Sequence, residues 1–247
     1  MAEKHYHEQV AFAKDYLVDY FQRRLPGFSE MRILEVGSAE SGLLAVLHAR
    51  GLSVTGIELS PDRVALAQSL NPHLNVRVGD ITDASLPATL DGPYDLIILR
   101  DVIEHVPNRH AAFANLAALL APNGFVYMTF PPRFSPFAGH QQNGRSLFRR
   151  LPWLQLWPPF IVRLLGRRLQ EWPHIVDQVI ENGRMGLSIR RFRQLAAAAG
   201  FHRYHEDLFF SRPIYQQRFG WRPRRFPDWP LFREWLVTGC EALLQKK

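Results

Sequence analysis

Apolar positions along the first half of the chain switch repeatedly between two periods. Val10, Phe12, Tyr16, Leu17, Tyr20 and Phe21 share one face of a helix over about 6–24, which Pro26-Gly27 stops. MRILEVG follows, a short apolar run ending in glycine, the pattern of a buried strand. The spacing then predicts a helix over Leu43–Arg50 with Gly51 just past its end, and a second strand in LSVTGIEL. Ser60-Pro61 opens a helix over Asp62–Leu70, with Ser60 as its N-cap and Pro61 at its first position. NVRVGD and YDLIILRD read as the third and fourth strands, Arg109–Leu120 as a helix and GFVYMTFPP as the fifth strand. Apolar strands separated by helices predict an α/β fold, a doubly wound and mostly parallel sheet covered on both faces.

After Pro132 this rhythm breaks. The block 133–182 is rich in Pro, Trp, Phe and Arg and is too long for an ordinary strand–helix connection, so it reads as an insertion after the fifth strand. A helix over Ser188–Ala199 follows, capped by Ser188 and ended by Gly200, with Ile189, Phe192 and Leu195 as its apolar stripe. Two strand-like runs, Tyr204–Phe210 and Ile214–Phe219, read as an antiparallel closing pair. Leu231–Leu244 reads as a helix within a C-terminal helical extension, 221–247. The whole of 1–247 is expected to form one domain.

Composition narrows the classes. At 47% hydrophobic and 21% charged over 247 residues, the chain can bury a sizeable core and is not a disordered polymer. Its one cysteine, Cys240, excludes an intrachain disulfide framework and a Cys-based zinc site, which suits a reducing cytoplasm. MAEKHYHEQVAFAKDYL has no continuous apolar core of a secretory signal, and the greasiest stretch, Leu151–Val162, falls short of a membrane span and is broken by prolines. Charge is divided unevenly. Residues 1–124 carry 10 Lys and Arg against 15 Asp and Glu, a net −5; residues 125–247 carry 20 against 8, a net +12. A basic back half suits an anionic acceptor or an anionic bilayer, beyond keeping the surface solvated.

In such sheets ligands bind beyond the carboxyl ends of the strands. Acids recur at those ends: Glu35 before the turn GSAESG, Glu58 closing the second strand, Asp80 after the third, and Arg100-Asp101 closing the fourth. Gly37 and Gly42 allow a tight turn and close approach of a ligand to the backbone, with Ser38 between them. An acid at the end of the second strand can accept hydrogen bonds from both hydroxyls of a ribose. Each acid alone is an ordinary solvated loop residue; four in register at successive strand ends are harder to dismiss.

The combination ILEVGSAESG, GIELS, GDI, YDLIILRDVIEHVPN and LLAPNGFVYMTFP resembles the class I S-adenosylmethionine-dependent methyltransferases over about 31–130, and LSIRRFRQLAAAAGF is similar to that fold's late helix. The resemblance implies a Rossmann-like, seven-stranded sheet with an antiparallel closing strand, and S-adenosyl-L-methionine as cofactor. It implies that Glu35, Gly37, Ser38 and Gly42 shape the first cofactor loop, that Glu58 and Leu59 hold the ribose, that Asp80 and Ile81 meet the adenine, and that Arg100 and Asp101 complete the site. Ala39 and Ser41 depart from the family's turn, standing where its second and third glycines fall. PPRFSPFAGHQQN is similar to a segment found after the fifth strand in some bacterial methyltransferases acting on glycans or secondary metabolites.

Methyl transfer to a hydroxyl needs a proton acceptor, and histidine supplies one near neutral pH. His140, beside Gly139 after the fifth strand, is the leading catalytic candidate, and His105 in IEHV the second; each could instead be a structural histidine. His5, His7, His202 and His205 are too sparse for a metal site, and neither HExxH nor a Cys pair is present, so no metal is expected. The expected acceptor is a small-molecule or saccharide hydroxyl, with nitrogen or carbon as alternative acceptor atoms. In the insertion, Trp153, Trp157, Phe160 and Leu164 interleave with Arg149, Arg150, Arg163, Arg167 and Arg168, which suits either a substrate lid or an element resting on an anionic membrane. An RNA methyltransferase is disfavoured because no aromatic RNA-binding module is visible. A non-catalytic nucleotide-binding protein sits poorly with four strand-end acids, and a dehydrogenase with the missing GxGxxG.

Overall fold

The structure, a computed structural model, describes residues 2–246. Its eight strands form one sheet: β1 (Arg32–Val36), β2 (Ser53–Glu58), β3 (Asn75–Val78), β4 (Tyr94–Arg100), β5 (Leu120–Phe130), β6 (Phe201–Ser211), β7 (Arg224–Arg225) and β8 (Gly239–Lys246). Their order is β3-β2-β1-β4-β5-β8-β6-β7. Strands β1 to β5 pair in parallel; β8 is antiparallel to both β5 and β6, and β7 is antiparallel to β6. The strand order reverses between β1 and β4, which opens a crevice at their carboxyl ends.

The central strands are apolar on both sides because both sides are covered. Along β4 and β5, Ile97, Leu99, Val126 and Met128 face one cluster, while Leu96, Ile98, Phe125 and Tyr127 face the other. The first face is covered by α6 (Arg109–Leu119) through Phe113 and Leu116, and by α9 (Ile189–Ala198) through Phe192 and Leu195. The second is covered by α1 (Ala2–Phe12), a π-helical segment over Ala13–Leu17, α2 (Val18–Arg24), α3 (Gly42–His48) and α4 (Pro61–Leu70). A short helix, α5 (Leu86–Thr89), joins β3 to β4. The cap residues act as expected: the hydroxyl of Ser60 accepts from the N–H of Arg63, and that of Ser188 from the N–H of Arg191.

The last quarter of the chain departs from the sequence reading. Ile214–Phe219 is a helix, α10, not a strand, and the partner of β6 is β8. The helix expected over Leu231–Leu244 is one turn, α11 (Arg233–Leu236), followed by β8. Among the described residues of the extension 221–247 that turn alone is helical, and the sheet has eight strands, not seven. The cause is the place of β8 between β5 and β6: Cys240, Ala242 and Leu244 pack on one face and Leu243 on the other. With both faces buried the run is continuously apolar, and periodicity alone does not separate such a strand from a buried helix.

The block after β5 folds around its own apolar cluster. Phe148 and Leu154, from short 3-10 turns, meet Val162 of α7 (Pro159–Arg168) and Val176, Val179 and Ile180 of α8 (Pro173–Met185). Gly183 lets α8 touch the Gln155 carbonyl, where a Cβ would lie 2.1 Å from the oxygen. Glu171 clamps the block's base: its carboxylate accepts from the N–H groups of Arg145, Ser146 and Trp172 and from the Ser146 hydroxyl. Burial pushes this carboxyl up, but the four donors outweigh it and hold it down at about 2. The folded pKa thus lies below the unfolded one, so this stabilisation is complete above about 4.5 and is lost as pH falls towards 2. Glu171→Gln is expected to cost about 1–3 kcal/mol at neutral pH. Denaturant melts across pH check this: the gap to wild type closes as pH falls through that window.

Candidate active site

A cleft of about 710 Å³ lies beyond the carboxyl ends of β1, β2 and β4. Its first wall is the turn from β1 to α3. The N–H groups of Gly37 and Ser38 both donate to the Ile57 carbonyl, at 2.8 and 3.1 Å, which ties the turn to β2. Gly37 has φ +69°, and a Cβ there would lie 2.5 Å from Cγ2 of Val102. Ala39 and Ser41 keep the left-handed backbone that glycine would adopt, at φ +50° and +62°. The departure from glycine changes the side chains and not the loop path, at a cost of about 1–2 kcal/mol for each L-residue held there.

Glu58 is the best-defined acid of the cleft. It is buried at the end of β2, and its two oxygens accept from the N–H of Ala39 at 2.9 Å and of Ser60 at 3.1 Å. Both oxygens keep acceptor capacity for a ligand's hydroxyls. Asp80 is exposed on the same wall, fixed by Thr82, whose N–H and hydroxyl both donate to it at 2.8 Å. Arg100, at the end of β4, is held from below by Glu35, which accepts from its Nη2 at 2.8 Å and Nε at 3.1 Å. Burial raises the Glu35 carboxyl's pKa, Arg100 opposes this, and the Oε2 atom has no hydrogen-bond partner.

The facing wall carries the histidines. His105 ends the 3-10 turn Ile103–His105 after β4, and His140 stands in the loop after β5 with φ +61°. Their rings meet edge to face, with centroids 5.5 Å apart. Burial lowers both pKa values, that of His140 to about 4, although Asp101 pulls the other way. Both imidazoles are therefore neutral at neutral pH. Burial disfavours the Asp101 carboxylate, but the Arg212 guanidinium 2.6 Å away outweighs it, and the net shift is downward. Glu104, next to His105, is pushed well up by burial and by Asp101.

The arrangement has parallels among known proteins. A family profile described as "Methyltransferase domain" matches residues 6–206. The chain belongs to this methyltransferase family. Its fold is the one shared by class I S-adenosylmethionine-dependent methyltransferases. It is 27% identical over 161 residues to the ubiquinone biosynthesis O-methyltransferase of Nitrosomonas europaea, covering 64% of this chain and 63% of that one. To the protein of that name from Xanthomonas campestris pv. campestris it is 36% identical over 119 residues, covering 45% of this chain and 47% of the relative. The match thus spans about half to two thirds of these relatives. Among solved structures, the plantazolicin methyltransferase BamL, held in complex with a triazolic desmethylPZN analogue and SAH, superposes with a TM-score of 0.63 at 12% identity, covering 99% of this chain and 86% of that one. An S-adenosylmethionine-dependent methyltransferase from Mesorhizobium loti gives 0.59 at 16% identity, covering 92% and 96%. These two likenesses establish the fold.

The residues of the methyltransferase cleft fit S-adenosylmethionine: a glycine at the first turn where a side chain would collide, and a buried acid fixed by backbone donors at the end of β2. Not every expected residue lines the cleft. Gly37, Glu58, Leu59, Asp80, Ile81, Arg100, Asp101, His105 and His140 do. Glu35 instead lies beneath Arg100 and acts through it. Ser38 is fully buried, and its backbone ties the turn to β2. Gly42 admits α1, because a Cβ there would meet Gln9 and the Tyr6 carbonyl at 2.7 Å, and its N–H donates to Oε1 of Gln9.

Gln9, Arg212 and Glu241 are among the lining residues that the sequence reading missed. Gln9 sits on a helix whose pattern read only as packing. Arg212 follows β6 and pairs with Asp101. Glu241 lies on β8, in the stretch read as helix; Tyr16 and Tyr127 donate to it, and burial pushes its carboxyl up to about 7. No sequence signal marked Arg212, whose role depends on β6 and β4 ending at the same edge of the sheet.

Proposed function

We propose that this methyltransferase moves the methyl group of S-adenosylmethionine onto a hydroxyl oxygen of a small molecule or saccharide. When bound, the donor supplies a methyl carbon already made electrophilic by its sulfonium. On this reading Glu58 accepts from the ribose hydroxyls, Asp80 meets the adenine side, and Gly37 lets the donor approach the backbone. Arg100 stays oriented by Glu35. Arg212 and Arg218 stand on the cleft wall, paired with Asp101 and Glu8. His140, with His105 beside it, promotes loss of the hydroxyl proton, and confinement of both reactants supplies much of the rate.

The observation that carries this reading is one continuous cleft holding Glu58 and Asp80 together with two histidines whose rings meet edge to face. The relatives named as ubiquinone biosynthesis O-methyltransferases support oxygen as the accepting atom. The test is methyl transfer to matched acceptors bearing a hydroxyl or an amine, with products identified by mass spectrometry. O-methylated products support the reading; transfer to the amines alone overturns it.

No helix among the described residues is long and apolar enough to cross a membrane. The insertion nevertheless exposes Trp157, Phe160 and Leu164 beside Arg163, Arg167 and Arg168. We propose that this face of α7 rests on an anionic bilayer. Flotation with phosphatidylglycerol vesicles is expected to carry the protein at low salt and to release it at high salt. Absence of flotation at low salt removes this part of the reading.

A further inference from the structure

One cluster at the edge of the cleft, with His105 and His140 among the lining residues, does more than the methyl-transfer reading asks of it. A carboxylate oxygen of Glu104 and one imidazole nitrogen each from His105 and His140 lie within 4.8 Å of one another. Glu104 is 4% exposed, and neither of its oxygens has a hydrogen-bond partner. The nearest contact with a basic atom is His105 Nε2 at 3.8 Å, too long for a hydrogen bond. Arg109, on the next helix, donates to the carbonyls of Ile103, Glu104 and Met185 and makes no hydrogen bond to this carboxylate, which it and Arg212 favour only through space. A buried carboxylate is costly unless it is paired or bound to a metal, and the fold holds this one between two imidazoles.

The three ligand positions are built in. Glu104 and His105 are adjacent in the 3-10 turn after β4. The loop carrying His140 is fixed from behind, where Asn182 of α8 donates to the Gly139 carbonyl at 3.2 Å and the Gln141 amide donates to the Pro136 and Leu151 carbonyls. The two rings stand at 83° to each other, edge to face, so they are not stacked face on face. Asp101 is close by but engaged by Arg212.

We infer that Glu104, His105 and His140 form a binding site for one divalent first-row cation, Zn²⁺ or Mn²⁺. Two imidazoles and one carboxylate suit such ions, and three protein ligands leave an open position, the pattern of catalytic sites and not of structural ones. The inference rests on the methyl-transfer reading and deepens it, since His105 and His140 line the cleft where the acceptor hydroxyl would enter. Coordination there lowers the hydroxyl's pKa. The O–H proton leaves to water and its electron pair stays on oxygen. That oxygen then bonds the methyl carbon as the C–S pair departs with sulfur. The acceptors favoured are those with a second oxygen beside the reacting one, which can chelate the ion.

The test is titration of chelator-stripped full-length protein with Zn²⁺ and with Mn²⁺, each alone, by calorimetry. Wild type is expected to bind one equivalent of at least one of the two ions. Glu104→Gln and His140→Asn are expected to weaken that binding at least about tenfold, while both still bind S-adenosylhomocysteine, which shows that they are folded. Glu58→Ala is expected to bind the metal as wild type does. No binding by wild type, or binding that neither cleft variant weakens, overturns the proposal. Because neither donor nor acceptor is present, the result is independent of the methyl-transfer reading. Stripped protein that keeps full O-methyl transfer would sink the metal site and leave that reading standing.

Discussion

Replacing His140 with Asn is expected to lower turnover about 10²–10⁴-fold, the range spanned by loss of a group that promotes proton removal in the reaction. Binding of S-adenosylhomocysteine is expected to hold. Asn is the informative substitution because His140 sits at φ +61°, where Asn is tolerated and most other side chains are strained. The loop is also anchored independently of the ring, through Asn182 and Gln141. A loss of turnover is therefore chemical, not conformational. Steady-state kinetics with a hydroxyl acceptor check it, and a fall in kcat is the expected signature. Near-wild-type turnover would remove His140 from the chemistry. If His105→Ala then abolished turnover, the role would pass to the second histidine.

Glu58→Ala is expected to weaken binding of the donor and its product by about 1–3 kcal/mol, on the order of tenfold to a hundredfold, the scale of losing hydrogen bonds to a charged group. Two effects add. The ribose hydroxyls lose their acceptor, and the N–H groups of Ala39 and Ser60 lose the carboxylate that fixes them. The first turn then loosens next to Ala39, which already holds a left-handed backbone. Calorimetry with S-adenosylhomocysteine checks this; unchanged affinity would contradict the placing of the ribose at Glu58.

The features legible in the sequence are those whose cause is local. Ser60, Pro61 and Ser188 mark helix starts because capping is decided within one turn, and each acts as read. The strand-end acids were legible because a parallel sheet delivers every strand to one edge, so Glu58, Asp80 and Asp101 share a cleft. What escaped depends on pairing across long separations. Strand β8 is apolar on both faces only because it slots between β5 and β6, and no residue near Gly239 announces that. Its misreading hid Glu241, which meets Tyr16 and Tyr127. Glu35 was placed at the right strand end but one layer too high: it lies under Arg100, and the arginine reaches the cleft. The grouping of Glu104 with His105 and His140 was missed because the first two follow β4 and the third follows β5, a juxtaposition that parallel pairing of those strands creates.

The central claim, that one cleft presents the donor to the His105–His140 wall, is tested most directly by a crystal structure of the protein with S-adenosylhomocysteine. The account predicts the ribose hydroxyls within about 2.6–3.2 Å of the Glu58 carboxylate, the backbone of Gly37 against the ligand, and the sulfur turned toward the two histidines. A ligand seated away from Glu58, or one whose sulfur points away from His105 and His140, would contradict it.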